Sequence, residues 1–200
     1  WSADDRIAVF ENGTGTAYQI LDSYVGKSSG EFSLVEGLTT DGFTGDIDVT
    51  VAAYPFDEGL NMIAVSEDTY EISGLAFPAE QTYTPGSFAD LSFPMVAVTS
   101  AGSRNLSFKN IGGVVKLSLT GDYSVSRITL TGNSGEPLSG SATVTLGSDG
   151  IPSVTMSEDA STSVSLLCDP AVQLDPEEAT DFYISIPPAE FENGFTVNVT

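Results

Sequence analysis

The side chains able to do chemistry in this 200-residue chain are overwhelmingly carboxylates: 28 Asp and Glu stand against 6 Lys and Arg, and there is no His. Two carboxylates about 5–10 Å apart suffice for glycoside hydrolysis. With so many acids, some pairs reach that spacing by chance, so it singles out none of them. Calcium ligands could come from Asp41-Gly42 with Asp46 and Asp48, or from Ser148-Asp149-Gly150. Neither stretch has the alternating spacing of a calcium loop, and both read more simply as acidic β-turns. The lack of His removes Ser–His–Asp triads, Cys–His pairs and His-ligated zinc. A single cysteine, Cys168, removes thiolate zinc, iron–sulfur clusters and an internal disulfide. Cys168 alternates with Val164 and Leu166, which makes it a small core hydrophobe rather than a nucleophile. No glycine-rich nucleotide motif, GxGxxG after a strand or GxxxxGK[ST], is present. The expectation is a protein that is not an enzyme and holds no cofactor or metal.

The elements around these residues are strands. In Phe108–Gly121, Val115, Leu117 and Leu119 alternate with Lys116, Ser118 and Thr120, and Gly112-Gly113 and Gly121 bracket them. That period of two is a half-buried strand. The same pattern follows at Ile128/Leu130, Ala142/Val144/Leu146, Val164/Leu166/Cys168, Phe182/Ile184/Ile186 and Phe195/Val197/Val199. Such a series describes a β-sandwich. Tyr183 sits opposite Phe182 and Ile184 and is a surface aromatic that could stack on a sugar ring; Ser185 on that face suits a solvated sheet. The first half is less regular, with strands expected at Ile7/Val9, Ala17–Ile20, Phe32/Leu34, Ile47–Ala53, Met62/Ala64 and Tyr70/Ile72. Turns are expected at Asn12-Gly13, Ser29-Gly30 and Asp41-Gly42. Asp57–Ala64 has an alternative reading as a helical turn through Leu60, Ile63 and Ala64. Asp175-Pro176-Glu177-Glu178 carries the signals of one short helical turn. Pro78, Pro85 and Pro94 interrupt any long strand, and Ser100–Ser103 is small and flexible. The division is therefore expected near residue 100, giving domains 1–100 and 101–200.

A net charge of −22 and a pI near 4.1 exclude nucleic acid as a partner, since phosphate binding needs clustered Lys and Arg. An anionic membrane surface would also repel the chain. No signal peptide and no membrane-spanning apolar run is visible. The start at Trp1 suggests a processed or trimmed chain, and the end at Thr200 reads either as a cut or as a true terminal strand. Asn12, Asn105 and Asn198 head N-x-S/T triplets, close to what chance gives in a Ser/Thr-rich chain.

An ordered series of segments resembles the fimbrillin-like family of anaerobic Gram-negative bacteria. In the second half these are Pro94–Ala97, Leu106–Asn110, Val114–Gly121, Ile128–Asn133, Leu138–Gly140, Val164–Cys168, Phe182–Pro188 and Phe191–Val199. In the first half they are Trp1 with Asp4–Val9, and Ala52–Pro55. The resemblance covers most of the chain. It implies an all-β fold of two tandem, Greek-key-like, transthyretin-like β-sandwich domains. It also implies export as a lipoprotein to the outer-membrane surface and service as a fimbrial (pilus) subunit or adhesion protein. The partners implied are other fimbrial subunits, joined by strand exchange, together with a host protein or glycan. The lipid-bearing Cys of such proteins is not in this segment. Arg6 and Arg104 are the positions where the Arg-directed processing of the family could act. The alternative on the same scaffold is a surface glycan-binding module, because fold does not fix function.

Overall fold

The structure is a computed structural model that describes every residue except Ser148. It is all-β. The strands are β1 (Arg6–Glu11), β2 (Thr14–Ile20), β3 (Phe32–Thr39), β4 (Gly42–Thr44), β5 (Val49–Tyr54), β6 (Asn61–Ser66), β7 (Thr69–Phe77), β8 (Glu80–Thr82) and β9 (Met95–Ser100). They continue with β10 (Lys109–Asn110), β11 (Gly113–Leu119), β12 (Ser124–Gly132), β13 (Gly140–Gly147), β14 (Pro152–Met156), β15 (Ser163–Gln173), β16 (Thr180–Ile186) and β17 (Phe195–Val199). One short 3-10 turn, Asp22–Tyr24, is the sole helical element among the described residues.

The chain forms two compact units whose segments interleave. Unit 1 contains Trp1–Leu75, Pro94–Ile111 and Ala142–Thr155; unit 2 contains Ala76–Phe93, Gly112–Ser141 and Met156–Thr200. Residue 100 therefore falls inside the middle segment of unit 1.

Unit 1 is built on a six-stranded sheet in the order β10-β9-β5-β1-β2-β3 and on the strands of a second sheet, β14-β13-β7-β6-β4. The β1–β2 hairpin turns at Asn12 and Gly13, both at positive φ (51° and 78°), the conformation that Asn-Gly adopts in two-residue hairpins. On one face of the larger sheet, Ile7, Val9, Ala52, Tyr54 and Ala97 form a buried cluster, with Trp1, Phe32, Leu106 and Phe108 packed on it. Trp1 meets Phe32, Tyr54 and Phe108 edge-on, at centroid distances of 4.9, 5.3 and 5.7 Å. Beneath it the buried Asp5 carboxylate accepts a hydrogen bond from Tyr54 Oη at 2.8 Å and one from the Ser2 amide at 2.6 Å. These contacts join the N-terminal stretch Trp1–Val9 to Ala52–Tyr54, more than forty residues later.

Unit 2 has a four-stranded sheet, β17-β12-β15-β8, and a two-stranded sheet, β11-β16. The two sheets line one core. Ile128, Leu130, Val164, Leu166 and Cys168 come from the first, and Phe182, Ile184 and Ile186 from the second; Val115, Leu117, Leu119 and Val197 pack against them half-buried. Side chains at alternate positions point to opposite faces, so each strand contributes every second residue to this core. Cys168 lies in it, and burial pushes its thiol pKa up, as befits an unreactive hydrophobe.

Three expectations are corrected. Asp57–Ala64 forms a turn followed by β6, not a helical turn: Leu60 and Met62 are fully buried while Ile63 is 38% exposed, the period of a strand. Asp175–Glu178 forms a bend, although Asp175 does cap it, accepting hydrogen bonds from the Glu177 and Glu178 amides at 2.7 and 2.9 Å. Ser185 is fully buried rather than solvated, because residues of the Ala76–Phe93 segment close over it.

Candidate functional site

The candidate site in unit 2 is a strand edge, and its geometry starts with one glycine. Gly112 leads into β11 where a side chain would run into the Ile186 carbonyl and the Phe77 ring. That close approach sets the register in which Val114 pairs with Ser185, Val115 with Ile184, Lys116 with Tyr183 and Ser118 with Asp181. Val115, Leu117 and Leu119 then face the core. Val114, Lys116 and Ser118 face outward.

The outward face is a cross-strand polar network. Lys116 Nζ lies 2.8 Å from Asp181 Oδ2, and Ser118 Oγ donates to Asp181 Oδ1 at 2.6 Å. The hydrogen bond from Lys116, and then that from Ser118, hold the Asp181 carboxyl below the ordinary aspartate value; the same contact with Asp181 raises Lys116. Lys116 Nζ also stands 5.9 Å from the Tyr183 ring centroid. Tyr183 is thus half-buried and shares its ring with a cation. Paired charges and an aromatic directly opposite one another stabilise an antiparallel pair.

The β16 edge of this sheet is satisfied by a side chain at one residue, Ser185. Antiparallel neighbours alternate between pairs that exchange both hydrogen bonds and pairs that exchange none, whose N–H and C=O groups point away from each other. Ser185 is of the second kind. Its N–H donates to Gln81 Oε1 at 3.0 Å and its C=O accepts from Gln81 Nε2 at 2.7 Å. Gln81 lies on β8, paired in parallel with β15 of the four-stranded sheet. Its side-chain amide therefore stands where a neighbouring strand's peptide group would stand, and it satisfies the β16 edge at that residue. Ser185 Oγ completes the buried cluster by donating to Gln81 Oε1 at 3.1 Å and to the Ser92 carbonyl at 2.7 Å. Tyr83, whose phenol pKa is raised by burial, packs on Phe182 at 5.1 Å.

The same alternation places the N–H and C=O groups of Val114, Lys116 and Ser118 on the outer edge of β11. No described strand pairs with that edge. It borders the half-buried row Val115, Leu117, Leu119, and Val114 is 37% exposed beside it. An edge of this kind is a template for adding an extended chain.

Of the other positions singled out from sequence, Arg6 begins β1 inside the six-stranded ladder, with Nε donating to Gln19 Oε1 at 3.1 Å. Arg104 is exposed on the irregular segment between β9 and β10. Asp41, Asp46 and Asp48 flank β4, and Ser148 of the second acidic turn lies outside the described residues. Among the described residues, no three His, Cys, Asp or Glu side chains converge as a metal site. Gln81 went unnoticed in the sequence because it lies between Pro78 and Pro85, in a stretch too short to show a period. The one available signal was its alternation with Tyr83. No family model, curated protein or solved structure matches this chain.

Proposed function

We propose that the chain is a non-enzymatic, fimbrillin-like surface subunit of two β-sandwich domains, acting at the cell exterior in a fimbria or adhesive assembly. It joins that assembly by accepting an extended strand from another subunit. The observation that supports this reading is the β11 edge. Its outward N–H and C=O groups at Val114, Lys116 and Ser118 border a half-buried apolar row, while Gln81 occupies the corresponding edge of β16 at Ser185. A strand laid there would bond the free backbone groups and cover Val115, Leu117 and Leu119. Such contacts are long, slow to dissociate and head-to-tail, and so produce filaments.

The test is a proline at an outward position. Val114→Pro removes an N–H that points away from β16, a substitution that edge strands tolerate, whereas Val115→Pro removes one that bonds to Ile184. Surface material sheared from cells producing the full-length protein is run unboiled on a denaturing gel and blotted for this chain. The expected result is heat-labile species larger than the monomer for the natural protein and a folded monomer for Val114→Pro. Large species unchanged by Val114→Pro, or a natural protein found only as monomer, overturn the reading.

A further inference from the structure

We infer that the occupant of the β11 edge is a cationic extended segment of a different protein, and not a second copy of this chain. This rests on the strand-acceptor reading above and identifies the partner. The chain carries −22 net charge, so two copies repel before any backbone contact forms. In unit 2 the only bases are Lys116 and Arg127, and both are already paired, with Asp181 at 2.8 Å and Glu80 at 3.1 Å. Within unit 2 neither base is left unpaired to receive an acidic partner.

The end of the edge adds a local argument. Past Leu119, the Gly121 amide donates to the Asp175 carbonyl at 3.0 Å. This bond brings the 175–178 bend alongside, and with it the exposed carboxylates of Glu177 and Glu178, next to exposed Asp122. None of these three forms an ion pair among the described residues. A strand of alternating apolar residues satisfies the β11 backbone and the Val115/Leu117/Leu119 row. Lys or Arg at the end that lies past Leu119 meets these carboxylates. Complementary charge of this kind acts on encounter rate and on the choice of partner more than on contact area.

The experiment titrates the purified natural protein with two synthetic peptides of alternating Val and Thr, one flanked at both ends by lysine pairs and the other by glutamate pairs. Binding is followed by calorimetry and by backbone amide shifts. At low salt, where the Debye length is about 30 Å, the lysine-flanked peptide is expected to bind at least about tenfold more tightly. That ratio should collapse towards unity at about 1 M salt, where the length is about 3 Å. Shifts should centre on Val114, Lys116 and Ser118, and Val114→Pro should abolish them. Equal affinity for both peptides, or self-association of the natural protein through this edge at low salt, overturns the charge inference and leaves the acceptor reading standing. If neither peptide binds, the acceptor reading falls and the inference with it.

Discussion

Replacing Gln81 by Leu is the most direct probe of the contact that ties β8 to β16. Leucine fills a similar volume but can neither accept from the Ser185 N–H at 3.0 Å nor donate to the Ser185 C=O at 2.7 Å. Ser185 is fully buried and Gln81 is 3% exposed, so water does not replace the lost partners without opening the structure. Each buried backbone group left unpaired costs about 1–3 kcal/mol. The two together amount to about 2–6 kcal/mol, from which the better transfer of Leu out of water recovers a part. A net loss of about 2–4 kcal/mol corresponds to about 4–16 °C in melting temperature for a chain of this length. The assay is urea unfolding together with native-state hydrogen exchange, which reads unit 2 separately from unit 1 and tolerates departure from two-state behaviour. The Ser185 amide should pass from among the best protected in unit 2 to one exchanging by local opening. Gln81→Asn serves as the companion, with the same chemistry on a side chain too short to reach, and should behave similarly. Ser185→Ala removes only the hydroxyl bonds to Gln81 and Ser92, so its effect should shrink in the Gln81→Leu background. A cost below about 0.5 kcal/mol for Gln81→Leu, with Ser185 still protected, would refute the idea that this amide stands in for a strand.

Tyr54→Phe removes the hydroxyl that donates to the buried Asp5 carboxylate at 2.8 Å. Hydrogen bonds to charged groups contribute about 1.5–3 kcal/mol, so a loss of that size is expected in unit 1, and a double-mutant cycle with Asp5→Ala should show coupling; strictly additive effects would contradict the contact. Asp175 has a folded-state pKa below the ordinary aspartate value, chiefly because the Glu177 and then the Glu178 amides donate to its carboxylate. A depressed carboxylate contributes stability that is present above the unfolded pKa and lost as pH falls through the folded one. The stability gap between the natural protein and Asp175→Ala should therefore be constant from neutral pH down to about pH 5 and close progressively below about pH 4; a gap independent of pH in unfolding titrations would contradict the cap.

What could be read from the sequence, and what could not, follows from how burial leaves its mark. A strand with one face on a core and one in water repeats every second residue, which is why Val115/Leu117/Leu119, Ile128/Leu130, Val164/Leu166/Cys168 and Phe182/Ile184/Ile186 are legible in the sequence. Strands of two or three residues, such as β4, β8 and β10, are shorter than the pattern needed to recognise them. At Leu60–Ala64 two periods competed. The strand won because Leu60 and Met62 are buried while Ile63 is exposed, an outcome set by the parallel pairing of β6 with β4 and its antiparallel pairing with β7. Ser185 misled for the opposite reason. Its position in the alternation is that of Tyr183 and Asp181, yet a segment about a hundred residues earlier covers it, and a serine can be buried without penalty once its hydroxyl and both backbone groups find partners.

An edge is harder still to see, because alternation reports which face a side chain takes and says nothing about what lies beside the backbone. β12 alternates much as β11 does, with Thr129 and Thr131 outward and Ile128 and Leu130 inward, but β12 is bonded on both sides, to β15 and β17. The feature that distinguishes β11 is its place in the sheet order, a property of the whole topology and not of Gly113–Leu119. The charge beside it, by contrast, was legible from the first count of acids and bases. Under the strand-acceptor proposal, the sequence would carry the sign of the partner's charge, and the strand order the place where that partner bonds. On that proposal, a substitution that reverses Lys116 should alter which peptides the edge binds while leaving the edge open, whereas Val114→Pro should close it to all of them.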